Sequence, residues 1–120
     1  MDAPVVPSGR VDQQDWRYEI ARHGWTAEVS LHGDLDRVDP AVLRQVWSQA
    51  IDGQPTKVLV VDMTEVTFIE GAVAQWLVEC HHQARAVDAQ LVVLAPSGEP
   101  RELLRILDVA HVVTLLDAWG

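Results

Sequence analysis

Four carboxylates, Asp34, Asp36, Asp62 and Glu70, stand within or beside two segments rich in small and polar residues. Carboxylates held close together can divide proton donation and acceptance between them, so the first chemistry to weigh is general acid–base catalysis. That chemistry also needs a concave pocket for a substrate. A chain of 120 residues with three short helices leaves little room for one, and no enzymatic activity is expected. The second constellation is Cys80-His81-His82, three metal-ligating residues in a row. Consecutive side chains on a helix point ~100° apart, so they cannot all face one ion. Cys80 also falls on the apolar stripe of its helix, where a cysteine serves as an inert core residue. The seven glycines form neither a phosphate-cradling loop nor a dinucleotide fingerprint. Ser97-Gly98 lacks the preceding glycine of a nucleophile elbow. No metal and no cofactor is expected.

The elements that must position these groups follow from periodicity. Residues 1–15, with two prolines and Ser8-Gly9, read as a flexible N-terminal tail, and the folded domain as 16–120. Trp16, Tyr18 and Ile20 alternate with Arg17, Glu19 and Ala21 as in a half-buried strand. His23-Gly24 then turns the chain into a second strand carrying Ala27, Val29 and Leu31. Gly33-Asp34-Leu35-Asp36 reads as a loop. Asp39 is suited to cap a helix that starts at Pro40, carries Leu43, Val46, Trp47, Ala50 and Ile51, and ends at Asp52-Gly53. Thr56 to Met63 is apolar on consecutive positions, as in a strand buried on both faces, and Thr64 to Glu70 reads as a second loop. From Gly71 a longer helix places Val73, Trp76, Leu77, Cys80, Ala84 and Val87 on one stripe. A strand over Gln90 to Ala95 follows, then a short helix from Pro100 to Leu107 with Leu103, Leu104 and Leu107 inward. Val112 to Leu116 closes the chain as a strand or a helical turn.

The order β-β-α-β-α-β-α-β demands parallel neighbours and crossover connections. It describes an α/β domain with a mixed sheet and helices packed on one face. Val60, Val73, Trp76, Leu77 and Val92 are expected to be buried together. Trp47 and Trp76 belong to the core, whereas Trp25 and Trp119 are candidates for a contact surface.

The net charge of −9 opposes nucleic-acid phosphates and anionic membrane surfaces alike, so direct nucleic-acid binding is not expected. Residues 34–70 hold seven acids against three bases. That stretch is either ordinary solvated surface or a face for a basic partner. No apolar run approaches the ~20 residues of a membrane span, so no membrane insertion is expected. The N-terminus lacks the pattern of a secretory leader, and the single cysteine cannot form an internal disulfide. A cytoplasmic protein is expected.

Two segments carry a resemblance. Gly33-Asp34-Leu35-Asp36, after a strand and before a helix, resembles the Gly-Glu-Leu-Asp loop of the STAS domain, the anti-sigma factor antagonist family. The run from Val58 to Glu70 is similar to that family's central strand and its approach to the switch segment. Leu91 to Leu94, Pro96-Ser97 and Arg101 to Leu107 resemble its last βα unit, so the similarity covers about residues 16–117. The family's switch segment ends Asp-Ser-Ser-Gly-Leu, and its second serine is phosphorylated by the partner kinase. Here the matching residues are Glu70, Gly71, Ala72, Val73 and Ala74, so Ala72 stands where the phosphoacceptor would be.

The resemblance implies a non-catalytic interaction module of bacterial signalling and stress response. Such a module regulates sigma-factor-dependent transcription by binding an anti-sigma factor of the serine-kinase type, or another STAS-binding protein. It places the partner-binding surface at Asp34, Asp36, Glu70, Gly71 and Ala72, with no phosphorylation at Ala72. It also allows a homodimer. The alternatives it leaves open are a non-catalytic STAS subunit of a transport or stress-signalling complex, and a small-ligand sensor.

Overall fold

The computed structural model describes residues 6–10, 16–51, 53–107, 109 and 114–116. Within them six strands and three helices follow in the order β1 (Val6–Arg10), β2 (Trp16–His23), β3 (Thr26–Leu35), α1 (Pro40–Ile51), β4 (Val58–Ile69), α2 (Gly71–Ala86), β5 (Gln90–Leu94), α3 (Gly98–Ile106) and β6 (Thr114–Leu116). The strands form one sheet in sequence order. β1, β2 and β3 are antiparallel neighbours, and β3, β4, β5 and β6 are parallel ones, as their helical crossovers require. The expected α/β class, the mixed sheet and the order from β2 onward are all found. β1 is an addition. It lies inside the stretch expected as a tail and pairs with β2, Val6 opposite Ile20 and Arg10 opposite Arg17. The remainder of 1–15 lies outside the described residues, as do Asp52 and Trp119.

The helix starts match the local chemistry. The Asp39 carboxylate accepts the Ala41 N–H at 2.9 Å, and the Asp39 carbonyl accepts those of Val42 and Leu43. Pro40 then occupies the first helical position, where a missing N–H costs nothing. Helix α1 contacts β2 and β3, α2 contacts β4 and β5, and the two helices touch each other. One cluster unites Leu43, Val46 and Trp47 of α1 with Val73, Trp76, Leu77 and Cys80 of α2 and one face of the sheet. That face presents Ala27, Val29 and Leu31, then Leu59, Val61 and Met63, then Leu91 and Val93.

The face assignment corrects the expectation for the central strands. Val60 is buried but stands outside this cluster, and Val92 is only half-buried. Val58 to Val61 and Leu91 to Leu94 are apolar at both parities, so alternation cannot tell which set faces the helices. Two further residues assigned inward are exposed. Val87 (62%) lies past the last turn of α2, and Leu107 (46%) past that of α3.

Both expected loops turn out to be strand for most of their length. β3 runs through to Leu35 and β4 to Ile69. The register shows why this was hidden. The four steps from Ser30 to Asp34 face six steps from Asp62 to Phe68, so β4 carries two extra residues as bulges. Each bulge resets the alternation, and the buried residues become Met63, Val66 and Ile69, three apart. That spacing resembles neither a strand nor a full helix. At the first irregularity the Asp62 carboxylate accepts both the N–H (2.9 Å) and the hydroxyl (2.6 Å) of Thr64.

Candidate functional site

The parallel ends of β3 and β4 build the site. Asp34 pairs with Phe68 and Leu35 with Ile69, so Asp36 and Glu70 each follow directly on adjacent strand ends. The carboxyl edge of a parallel sheet, beside helix N-termini, is where open α/β folds gather their functional groups. Asp34 accepts the Asp36 N–H at 2.9 Å, an Asx turn that swings the chain out of the sheet. Arg37 completes the reversal at φ 61°. Val38 is then buried as an apolar anchor, and its N–H donates to Glu70 Oε1 at 3.1 Å.

Glu70 is the N-cap of α2 by position, with extended backbone at φ −116° and ψ 173°. Its side chain makes no capping bond to its own helix, because it is engaged on Val38. The first turn of α2 therefore presents its N–H groups without a side-chain cap. Gly71 is exposed and Ala72 half-buried, and a side chain added at Gly71 would meet no atom within 4 Å. The surface at this helix end is open.

The structure thus brings Asp34, Asp36, Glu70, Gly71 and Ala72 to one edge. It does not bring Asp62 there. Asp62 lies opposite Ser30, roughly 17–20 Å back along β4 at ~3.3 Å per residue. Asp34 and Glu70 are also occupied as acceptors of backbone N–H groups, which is a structural use of a carboxylate. Asp36 is the exposed acid of the set.

Apolar surface missed in the sequence flanks this edge. A shallow groove of about 530 Å³ runs from Gly71 and Ala72 past Ala74 and Val78 to Leu107 and Val109. A second, of about 300 Å³, lies between Phe68 and Ile69 on one side and Leu103 and Ile106 of α3 on the other. Phe68 (39%) and Ile106 (64%) are well exposed. The signal was present in α3, where Leu103, Leu104, Ile106 and Leu107 are too many apolar residues for one inward stripe. Leu104 alone of these is fully buried.

The cysteine of α2 is part of the core. Cys80 is buried, and desolvation pushes its thiol far above the ordinary range, with Glu79 adding to the rise. His81 titrates below its ordinary value, mainly from the desolvation it does experience, then from His82 and Arg85. No metal-ligating cluster occurs among the described residues. Among them, too, no helix is long and apolar enough to cross a membrane.

Comparison with known proteins agrees with this architecture. The solved structure of the anti-sigma factor antagonist SpoIIAA in its unphosphorylated form superposes with a TM-score of 0.65 at 17% identity, over 85% of this chain and 89% of that one. An uncharacterised DUF3478-family protein with a SpoIIAA-like fold, from Shewanella loihica PV-4, superposes at 0.53 with 14% identity, over 93% of both chains. No curated protein matches the sequence. The family model described as Mlab, STAS domain, matches residues 19–117. A strand pair ending at Leu35 and Ile69, a helix that starts without a side-chain cap just after Glu70 and this match over most of the chain lead to one conclusion: the chain belongs to the Mlab, STAS domain family.

Proposed function

We propose that the protein is a non-catalytic interaction module of the anti-sigma factor antagonist type. It binds an anti-sigma factor through Asp36 and the open start of α2, and so regulates sigma-factor-dependent transcription. The observation that carries this reading is the occupation of Glu70 by Val38, which leaves an uncapped, small-residue helix end beside an exposed acid and an apolar groove. Such a surface offers a partner a hydrophobic seat with a charged rim, the usual anatomy of an interface. Ala72 has no hydroxyl, so phosphate on that residue cannot dissociate the complex. The antagonist is then permanently competent.

A second reading, a non-catalytic STAS subunit of a transport or stress-signalling complex, is favoured by the same alanine. A constitutive subunit needs no phosphate switch.

Asp36→Lys tests the surface. A pull-down from the native organism identifies the partner. The charge reversal is expected to weaken its binding at low salt, with a deficit that shrinks as salt is raised. A partner held equally tightly by both proteins at low salt refutes the acidic surface. The identity of the captured protein, anti-sigma factor or complex subunit, decides between the two readings.

A further inference from the structure

The opposite pole of the sheet holds a cleft that the proposed surface does not use. It opens where α1 and α2 end and β4 and β5 begin, and encloses about 560 Å³. Ala84 lies twelve residues after Ala72 on α2, so the cleft is about 18 Å from the helix start at 1.5 Å per residue. Its floor is apolar and buried: Trp47, Leu59 and Ala84. Trp25, exposed at 56%, forms one wall.

That wall is built, not draped. The Trp25 carbonyl accepts the N–H of Lys57 at 2.7 Å and of Val58 at 3.2 Å, and the Lys57 carbonyl accepts the Gln90 N–H at 2.9 Å. Behind them the Arg22 guanidinium donates to the carbonyls of Gly24, Ala50 and Pro55 and to the Thr56 hydroxyl. This one side chain ties the hairpin, the end of α1 and the entry to β4 together. The backbone that carries the exposed indole is thereby fixed at the mouth of an apolar cleft.

Lys57 supplies the polarity. Its ammonium lies 4.4 Å from the centroid of the Trp25 ring, and no carboxylate among the described residues pairs with it. It is the chain's single lysine. Asp88 is the other charged residue of the lining. One cation faced by one anion disfavours polyphosphates and other multiply charged ligands. The Trp25 face already holds an ammonium, which disfavours an organic cation. The volume falls in the ~300–1,000 Å³ range of small-molecule sites, and the buried floor suits a compact apolar group.

We infer that this cleft binds an apolar monocarboxylate of the aryl-alkyl kind, its ring on Trp47 and Leu59 and its carboxylate on Lys57. The site is independent of the surface at Asp36 and Glu70. The test is a titration of the whole chain with 4-phenylbutyrate and with 4-phenylbutanol, its uncharged counterpart, followed by two-dimensional amide NMR. Saturable shifts are expected at the Trp25 and Trp47 indole N–H groups and the Lys57 and Ala89 amides, with the acid bound about fivefold more tightly than the alcohol. Lys57→Met, which keeps an unbranched apolar stem over the indole, is expected to bind both ligands with the affinity of the alcohol. Shifts that fail to saturate, that fall elsewhere, or that are equal for acid and alcohol in the wild-type protein overturn the proposal. So does a preference for the acid that survives Lys57→Met.

Discussion

Glu70 lends its carboxylate to the backbone N–H of Val38, a residue 32 positions earlier, instead of capping the helix that it begins. One hydrogen bond therefore ties the two segments of the candidate surface together beyond the last ladder pair, Leu35 with Ile69. It also satisfies a donor on a residue that is 3% exposed and has no other partner for that group in the turn. Truncating Glu70→Ala should leave this N–H unpaired and cost about 1–3 kcal/mol, whereas Glu70→Gln keeps an acceptor oxygen and should cost less than about 1 kcal/mol. Urea unfolding of the three proteins measures the difference. Equal stability of the alanine and glutamine variants would show that the bond contributes nothing.

Trp76 belongs to the buried cluster that unites α2 with the sheet face of Leu59 and Val61, and is 3% exposed. Trp76→Ala should cost about 3–5 kcal/mol, the price of the lost transfer free energy and the cavity together. A cooperative denaturant transition at the wild-type midpoint would mean that the packing described for α2 is incorrect.

Cys80 supplies a pH dependence with a definite sign. In the unfolded chain its thiol ionises near the ordinary value of 9.0, whereas burial holds it protonated to much higher pH in the folded protein. Between those limits the native state binds the additional proton. Stability is therefore full below about pH 9 and declines as pH rises towards the folded value, by up to about 1.4 kcal/mol per pH unit. Other groups titrate in this range too, so the comparison is with Cys80→Ala: the difference in unfolding free energy between the two proteins should change across pH 8–10. The same burial predicts that iodoacetamide labels the thiol only after unfolding.

Much of this architecture was legible because its signals are local. Asp39-Pro40 and Gly71 mark helix starts by their own chemistry, and both are where the structure puts them. Strand–helix alternation let the acids of the two segments converge on one sheet edge, and the resemblance placed Asp36 and Glu70 on one surface; Asp62 is the acid that the structure leaves out. What was hidden depends on partners distant in sequence. Val6–Arg10 contains a proline and a glycine and becomes a strand by pairing with β2. The end of β4 is hidden because bulges break the alternation that identifies a strand, and the end of β3 because Gly33 and Asp34 are turn-forming residues rather than apolar ones. The Val38 link was unreadable for a simpler reason: every residue but proline has a backbone N–H, so the sequence says nothing about which one a carboxylate will find.

The two surplus residues in β4 turn the approach to α2 into a matter of counting. Thr67 is exposed, and Thr67→Ala should melt within a few degrees of the wild-type protein. Deleting the same residue should also keep a cooperative melt, because Thr67 is the surplus between Val66 and Phe68 and no buried contact is removed. With that bulge residue gone, Val66, Phe68 and Ile69 fall into ordinary alternation, with Phe68 still outward and Ile69 still inward. The segment is thus a spacer with a residue in reserve: deleting Val60, where β4 has no surplus, should instead turn the buried set over and abolish the cooperative melt. Ala72 lies past this reserve, on a helix whose start follows the Leu35–Ile69 pair, so a change of side chain there leaves the count untouched.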